Sequence, residues 1–430
     1  MNMILTLVGL LCSAQGAKAE TGKFFWFTDM HVDIWGDVKI SSDMICAWTP
    51  SDQLLSAVTA MKEQNADPDF ILISGDIVHY PPRNSSDLSK QNIMDTISAF
   101  TDWIVAEFPS TKLFPALGNH DHHPSNNWPT DLEDSSWLYD HLEDVWSVWL
   151  DADALATLGK TGWYSADPAP GLRVITLNTN YLTVYNTYLP WNTTIADEQF
   201  AWFAGELERA KNDGVKVYVN GHHPGVGVHI ESGVEVGGLF PIYQTKFAML
   251  YQIYEETIVA SFWGHDHVDE VRLVRGCTYT GPNPDVDSSG VNSCGGDPVG
   301  IAFVGQALTN CQVPAFREWT FDKGTYELVN YDQFWFKQEE EGSGEMTWPL
   351  QYRWSEAFGE EMGEGGLSSP DAWKAEIERM QSNSTAFNDF IARRGLIECE
   401  AGSKCQAFTL CNYLFGSGHA EFIQCVWDSV

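Results

Sequence analysis

The sequence has few basic residues for its length. Its 24 Lys and Arg stand against 59 Asp and Glu, which gives a formal net charge of -35. A protein that binds a nucleic-acid polymer needs Lys and Arg to neutralise the phosphates, so this balance argues strongly against such a partner. The acidic surplus favours solubility and is typical of a solvated acidic surface. With 430 residues, 44% of them hydrophobic, the chain is long enough to bury a large core.

The sequence also lacks a hydrophobic run of the roughly 20 residues that a transmembrane helix needs. The apolar residues 3–12 are too few to span a bilayer, and Ala-Lys-Ala at 17–19 matches the cleavage pattern of a secretory signal peptide. Residues 1–19 are therefore predicted to be a signal peptide. We expect a secreted or lysosomal protein without a transmembrane segment.

Cysteine is sparse, with nine residues in the whole chain, and Cys12 falls in the predicted signal peptide. The remaining 9 - 1 = 8 cysteines form an even set, which in a secreted chain predicts disulfides. Sequons for N-glycosylation begin at Asn84, Asn192 and Asn383 and support the same route.

Short apolar runs alternate with amphipathic stretches along the first two thirds of the sequence. Buried strands are predicted at 23–27, 70–73, 113–116, 172–177, 215–219 and 258–263. Helices are predicted at 51–64, 88–107, 133–150, 198–210 and 243–255. A series of strands follows at 271–336, and helices are predicted at 369–380 and 384–394. Alternation of this kind predicts an α/β sandwich.

Five of the predicted strands are followed by a short polar block that contains Asp, Asn or His. The blocks are D-x-H at 29–31, G-D at 75–76, G-N-H-D at 118–121, G-H-H at 221–223 and G-H-x-H at 264–267. In an extended segment, residues two apart share a face, so the D-x-H and H-x-H pairs can each grip one ion. Carboxylate and amide oxygens together with imidazoles suit a borderline divalent ion without any thiolate.

The five blocks, in this order, resemble the calcineurin-like metallophosphoesterases. The stretches 27–33, 114–121 and 177–180 and a C-terminal helical segment with a Cys cluster resemble the acid sphingomyelinase-like phosphodiesterase branch. The resemblance covers about residues 23–428 and implies a four-layer sandwich of two mixed sheets flanked by helices. It also implies a small helical, disulfide-bonded C-terminal region. We predict the catalytic domain at 20–337 and the C-terminal region at 338–430.

The resemblance further implies two divalent metal ions, expected to be Zn²⁺, that share the carboxylate of Asp76. The first ion would take Asp29, His31, Asp76 and His267. The second would take Asp76, Asn119, His222 and His265. A hydroxide held between two such ions would attack phosphorus in line with the leaving oxygen.

Two further histidines are predicted to act on the phosphate. His120 should stabilise the developing charge or protonate the leaving oxygen. In many members of the branch another His lies four residues after the bridging Asp, whereas here His79 lies three after Asp76. We predict that His79 contacts the phosphate or the leaving group. His122 and His123 are expected at the rim of the site.

The roles of His223 and Asp266 and the partners of four cysteines remain open at this point. His223 is predicted to support the ligands or lie in a loop, and Asp266 to support them or face solvent. The resemblance pairs Cys399 with Cys405 and Cys411 with Cys425. The four cysteines left without a predicted partner are Cys46, Cys277, Cys294 and Cys311.

The predicted function is that of a secreted phosphodiesterase with two metal ions, acting on nucleotide or choline-type phosphodiesters, with a monomer favoured. Only about four residues separate the predicted cleavage site from the first strand, so we expect no saposin-like domain that lifts lipid from a bilayer. Sphingomyelin hydrolysis to phosphocholine and ceramide is the second hypothesis. A metal-binding secreted glycoprotein without catalysis is the alternative from another class. The aromatic candidates for holding a base or choline group are Trp35, Tyr80, Trp128, Tyr181 and Tyr185.

Overall fold

The structure, a computed structural model, describes most of the chain after the predicted signal peptide. The described segments are 20–35, 49–80, 88–231, 234–279, 291–310, 313–338, 346–363, 365–394, 399–415 and 419–429. Cys46, Asn84 and Cys311 lie outside them. Within these segments, no helix combines the length and the apolar character needed to cross a membrane.

Two six-stranded sheets form the centre of the molecule. The strands, in chain order, are β1 (Thr21–Phe27), β2 (Val32–Asp33), β3 (Thr49–Pro50), β4 (Phe70–Ile73), β5 (Leu113–Pro115), β6 (Tyr164–Ala169), β7 (Leu172–Thr176), β8 (Lys216–Asn220), β9 (Val228–Glu231), β10 (Val234–Gly238), β11 (Ile258–Trp263), β12 (Glu270–Arg275), β13 (Thr278–Tyr279), β14 (Val291–Ser293), β15 (Pro298–Val304), β16 (Ala315–Asp322), β17 (Leu328–Trp335), β18 (Lys337–Gln338), β19 (Met346–Thr347) and β20 (Leu350–Arg353). The first sheet has the order β20-β17-β16-β1-β4-β5, and the second has the order β12-β15-β11-β8-β7-β6. The remaining strands form two-stranded ribbons.

Both sheets are mixed, as predicted. In the first sheet β1, β4 and β5 are parallel, and the other pairs are antiparallel. In the second, β7, β8, β11 and β15 are parallel, and the edge strands β6 and β12 are antiparallel. Because parallel strands share a direction, their carboxyl ends lie at one edge of each sheet.

Aromatic side chains fill the space between the two sheets. The Phe24 ring on β1 lies 5.7 Å from Phe262 and 5.8 Å from Tyr218, both on the second sheet. Asn220, at the end of β8, donates from Nδ2 to the carbonyl oxygens of Ile73 and Phe114 on the first sheet, at 3.0 Å each. These contacts hold the sheets face to face and align the strand ends that carry the polar blocks.

Helices cover the outer faces and form the C-terminal region. They are α1 (Ser51–Gln64), α2 (Lys90–Glu107), α3 (Ser136–Val145), α4 (Ala152–Thr161), α5 (Thr194–Asp213), α6 (Pro241–Ile253), α7 (Trp354–Ala357), α8 (Gly359–Met362), α9 (Pro370–Ser382), α10 (Ser384–Arg394), α11 (Lys404–Phe415) and α12 (His419–Ser429). Local chemistry fixes several ends: Ser89 accepts from the Asn92 amide at the start of α2, and Gly214 ends α5 at φ 68°. The sequence patterns missed α4, α7, α8, α11 and α12. The helix predicted over 133–150 is broken after Val145 by a 3₁₀ turn.

The C-terminal region contains the two disulfides expected from the resemblance. Cys399 is bonded to Cys405, and Cys411 to Cys425, which confirms both pairs. A further disulfide joins Cys277 to Cys294, two of the residues for which no partner was predicted. The predicted fold, an α/β sandwich of two mixed sheets with a small disulfide-bonded helical region, is therefore confirmed.

Candidate metal centre

The carboxyl ends of five parallel strands bring the five polar blocks together. β1, β4 and β5 deliver three blocks from the first sheet, and β8 and β11 deliver two from the second. The predicted ligands reach the edge on short turns after these strands. They are Asp29, His31, Asp76, Asn119, His222, His265 and His267.

Five of these seven residues have left-handed backbone conformations. The φ angles are 52° at Asp29, 45° at His31, 54° at Asp76, 71° at His265 and 59° at His267. Residues other than glycine rarely adopt positive φ, because Cβ then crowds the backbone. Such residues cluster at functional sites, where the surrounding structure compensates for the strain.

Glycines beside the ligands allow the turns to approach one another closely. A Cβ on Gly118 would lie 2.0 Å from Oδ1 of Asp76, and one on Gly264 would lie 2.1 Å from Oγ1 of Thr28. No real Cβ tolerates such distances. The Gly at the start of two polar blocks is therefore required by packing around the ligands.

The first group of donors consists of Asp29, His31 and His267. The Nε2 atoms of His31 and His267 are 3.3 Å apart, and Nε2 of His267 lies 3.2 Å from Oδ1 of Asp29. Nδ1 of His31 lies 3.0 Å from the carbonyl oxygen of Val78, which can only accept a hydrogen bond. Nδ1 therefore carries the proton in the neutral ring, and Nε2 presents a lone pair to the site.

The second group of donors is built around Asn119 and His222. Nε2 of His222 lies 2.8 Å from Oδ1 of Asn119 and 3.3 Å from Oδ2 of Asp76, and Nδ1 of His265 lies 3.0 Å from the same Asn119 oxygen. The carbonyl oxygen of Ser74, 2.8 Å from Nδ1 of His222, fixes this imidazole in the way that the Val78 carbonyl fixes His31. Oδ2 of Asp76 is also 3.5 Å from His31, so this carboxylate lies between the two groups.

The chemistry of the donor set fits bound divalent cations. In both groups, buried lone pairs on nitrogen and oxygen face one another, an arrangement that is unfavourable unless a proton or cation lies between them. Burial lowers the pKa of His31 to about 3, which leaves a neutral imidazole suited to metal binding. Burial also opposes protonation of His222, but the adjacent Asp76 carboxylate outweighs it and raises the pKa to about 9. The site thus attracts positive charge.

His120 lies beside these donors. Its backbone amide donates to Oδ1 of Asp76 at 2.8 Å, and its ring centroid is 5.3 Å from that of His31. The Tyr80 ring lies against it, with centroids 3.9 Å apart. The position of the His120 imidazole beside the donor groups is consistent with its predicted role toward a phosphate.

The His79 side chain lies beside Trp35 and not against His120. Its Nδ1 lies 2.6 Å from the carbonyl oxygen of Tyr80, and its ring centroid is 6.1 Å from that of Trp35. Burial lowers the pKa of His79. A direct contact of His79 with the phosphate stays a prediction, whereas the residue that packs on His120 is Tyr80.

Asp121 supports the ligand turns, a role that was not assigned from the sequence. Its carboxylate accepts from the amides of Gly118 at 2.8 Å, Asp76 at 3.0 Å and Val78 at 2.9 Å, which ties two of the turns together. Burial and the nearby Asp76 carboxylate raise the pKa of Asp121 to about 7. The sequence signal that could have indicated this role is the position of Asp121 at the end of the G-N-H-D block.

A second supporting group surrounds Asp266, which is buried and does not face solvent. Its carboxylate pairs with Arg272 and lies 2.6 Å from Nδ1 of His229. The His229 ring is 5.3 Å from the His265 ring, and the His223 ring is 3.9 Å from it. Neither His229 nor Arg272 lies in a recognisable motif, so no sequence pattern pointed to them.

Three of the five aromatic candidates lie at the site, and two are buried in the core. Tyr80, Trp35 and Tyr185 remain at the site, and the Tyr185 ring lies 5.6 Å from that of His265. Trp128 and Tyr181 are buried in the core and cannot enclose a ligand.

The prediction that His122 lies at the rim is wrong. The residue is buried, and its ring packs 4.5 Å from that of Trp128 because the loop turns inward. His123 is partly buried, and its Nδ1 lies 2.7 Å from the carbonyl oxygen of Leu88, so its position at the rim stays a prediction.

Comparisons with known proteins identify the family. A family model described as calcineurin-like phosphoesterase matches residues 22–269. The chain is 28% identical over 379 residues to cyclic GMP-AMP phosphodiesterase SMPDL3A of Rattus norvegicus, covering 81% of this chain and 79% of that protein. It is 27% identical over 396 residues to acid sphingomyelinase-like phosphodiesterase 3b of Homo sapiens, covering 84% and 80%. Against sphingomyelin phosphodiesterase A of Dictyostelium discoideum the identity is 29% over 364 residues, covering 83% and 57%.

The expectation of an enzyme is confirmed, and the hypothesis of a glycoprotein without catalysis is not favoured. The chain belongs to the calcineurin-like phosphoesterase family, in its acid sphingomyelinase-like phosphodiesterase branch, and is a metal-dependent phosphoric diester hydrolase.

Proposed function

We propose that this protein is a secreted phosphodiesterase that uses two Zn²⁺ ions to hydrolyse nucleotide or choline-type phosphodiesters. The observation that carries the proposal is the pair of buried donor groups on either side of Asp76, with His120 beside them. Asp29, His31, Asp76 and His267 would hold the first ion. Asp76, Asn119, His222 and His265 would hold the second.

The ions, when bound, supply Lewis-acid activation of water and neutralisation of phosphate charge. The chain itself orients the imidazoles of His31 and His222 through the carbonyl oxygens of Val78 and Ser74, respectively. The Asp121 carboxylate holds Asp76 by accepting from its backbone amide. His120 donates its proton to the leaving oxygen as the bond between that oxygen and phosphorus breaks. No serine or cysteine nucleophile is required.

The substrate preference rests on two considerations. The relatives include a cyclic GMP-AMP phosphodiesterase and a sphingomyelin phosphodiesterase, so their names alone cover a nucleotide and a lipid. Trp35 is 40% exposed beside His79, and Tyr185 lies beside His265; both offer a ring face to a base or a quaternary ammonium group. We favour soluble diesters and keep sphingomyelin as the competing substrate.

Secretion and glycosylation are part of the same proposal. Three disulfides in the described residues favour an oxidising compartment. Asn192 and Asn383, two of the sequon residues, are exposed and accessible to glycan attachment. Mass analysis of the protein secreted by a eukaryotic host, before and after glycosidase treatment, tests both sites and the cleavage after Ala19.

Turnover and metal content test the enzymatic proposal together. The purified mature chain should contain two zinc ions and cleave a soluble nucleotide–choline diester faster than sphingomyelin. Asp76→Asn should lose both metal and turnover, since this carboxylate lies between the donor groups. His120→Ala should keep the metal and lose turnover roughly 100-fold or more, as is typical for a general acid.

Each part of the proposal can fail separately. Retention of two ions by Asp76→Asn would contradict the bridging role, and unchanged turnover in His120→Ala would remove His120 from the reaction. Faster cleavage of sphingomyelin than of the soluble diester would reverse the substrate preference while leaving the metal site intact.

A further inference from the structure

The imidazole of His120 is held differently from those of His31 and His222, two of the proposed metal-binding histidines. His31 and His222 each place Nδ1 at a carbonyl oxygen, 3.0 Å away in one case and 2.8 Å in the other. Such a bond fixes both the tautomer and the rotation of a histidine ring. His120 has no such bond: its Nδ1 is buried and has no hydrogen-bond partner among the described residues.

What restrains the His120 ring is the face of Tyr80. The centroids of the two rings are 3.9 Å apart and the rings are inclined by 40°. The same Tyr80 ring lies 4.7 Å from that of His31, so it also packs against a residue that carbonyl bonding already fixes. Rings in contact at this distance limit rotation about χ2, which is otherwise a soft torsion for histidine.

Tyr80 also occupies a notable place in the chain. It lies four residues after Asp76, directly following His79, whose ring faces Trp35. The backbone therefore turns the two neighbouring side chains in different directions. The aromatic face that reaches His120 belongs to the tyrosine.

We propose that Tyr80 is a positioning residue whose ring, rather than its hydroxyl, orients His120 toward the leaving oxygen. The inference rests on the proposed function of this site and adds a second requirement to it. A general acid must lie within hydrogen-bond reach of the oxygen that it protonates. Without the ring, His120 would rotate away from that oxygen, while His31 and His222, held by their own carbonyl bonds, would remain in place.

The choice of leaving group gives a readout that a general loss of structure would not produce. An alkoxide leaving from phosphorus needs the His120 proton, whereas p-nitrophenolate leaves readily without one. Loss of His120 orientation should therefore slow hydrolysis of glycerophosphocholine much more than hydrolysis of p-nitrophenyl phosphorylcholine. Because both diesters carry the same choline group, the difference between them reports mainly on protonation.

The experiment compares Tyr80→Phe and Tyr80→Leu with the wild-type holoenzyme on these two diesters. Tyr80→Leu should lower kcat for glycerophosphocholine roughly 10- to 100-fold, the size of effect expected from a misplaced catalytic group. KM and zinc content should change little, and p-nitrophenyl phosphorylcholine should lose less than a tenth as much. Tyr80→Phe keeps the ring and should stay within about 3-fold of wild type on both diesters.

Tyr254→Leu is a matched control. Tyr254 follows α6 and lies shortly before β11, at the end of that strand opposite the metal ligands. Its hydroxyl donates to Glu208, so the substitution removes a comparable ring and hydrogen bond away from the site. Both kcat values of this variant should match wild type.

The outcomes that would overturn the inference are distinct from those that would overturn the proposed function. Equal losses on both diesters, or a Tyr80→Phe variant as slow as Tyr80→Leu, would show that ring positioning is not the role of Tyr80. Wild-type activity in Tyr80→Leu would do the same. If Tyr80→Leu does not bind zinc, Tyr80→Met takes its place under the same criteria. A wild-type protein that contains zinc and cleaves neither diester would overturn both proposals.

Discussion

Arg272 provides the sharpest test of how the charged residues behind the metal centre contribute to stability. The side chain is 1% exposed. Nε donates to Oε2 of Glu270 at 2.9 Å, Nη1 donates to the carbonyl oxygen of Val226 at 3.1 Å, and Nη2 pairs with both Asp266 and Glu270. Arg394 of α10 donates to the other Glu270 oxygen at 3.0 Å, which links the C-terminal region to the network.

The substitution Arg272→Met keeps the length and apolar stem of the side chain but removes its charge. Two buried carboxylates then lose their shared cation, and removing one partner of a buried ion pair typically costs about 3–5 kcal/mol. Arg394 and His229 still face these carboxylates, so we expect a loss near the lower value, about 3 kcal/mol. Asp266 lies between His265 and His267, and zinc affinity should fall as well.

Denaturant unfolding, followed through the near-ultraviolet signal of the buried tryptophans, measures the change in unfolding free energy. Lys62→Met is the matched control, because Lys62 pairs with Glu107 at 3.0 Å with both side chains partly exposed. Exposed pairs contribute roughly 0–1 kcal/mol. A loss in Arg272→Met no larger than in Lys62→Met would refute the reasoning that burial makes this arginine essential.

Three further predictions concern the metal turns and the C-terminal region. Gly264→Ala should lower zinc content and turnover at least 10-fold, because the new Cβ would lie 2.1 Å from Thr28 Oγ1. The control is Gly205→Ala in α5, where the new Cβ would meet open space. It should leave zinc content and turnover unchanged and stabilise the fold by up to about 1 kcal/mol. Equal zinc content in the two variants would contradict this. Chelation of the metal in the wild-type protein should lower the melting temperature and abolish turnover. Added Zn²⁺ should restore both in a concentration-dependent way, because a ligand that binds the native state stabilises it by mass action. An unchanged melting temperature would show that the donors do not hold the ion. Replacing both Cys411 and Cys425 with serine should lower the unfolding free energy by about 3 kcal/mol, because their disulfide closes a loop with a sequence separation of 14 residues. A change below about 1 kcal/mol would show that α11 and α12 are held together by packing alone.

Local sequence patterns were enough to predict the fold class and the family, and they indicated which chemical groups to expect at the site. Each buried strand is a short apolar run, and a polar block follows where the run ends, so the strand pattern also predicts where the ligands lie. Parallel strands carry their ends to a common edge, which is why the five separate blocks are predicted to meet in one site. The bounds predicted for α1, 51–64, agree with the structure because its apolar spacing and flanking residues are local signals.

The orientation of the side chains and the pairing of the buried charges could not be predicted from the sequence, because they depend on contacts between distant segments. The contact of His79 with the phosphate stays a prediction. That Tyr80, the next residue, packs against His120 could not be predicted, because neighbouring side chains diverge at a turn. The predicted rim position of His122 was wrong because the direction in which a loop folds depends on what packs beneath it. The pairing of Arg272 with Asp266 depends on how the turn after β11 folds over β12. The pairing of Arg394 with Glu270 follows from the contact of α10 with the second sheet. Residue type and spacing specify which groups are available, whereas the contacts between distant segments set which of them face one another.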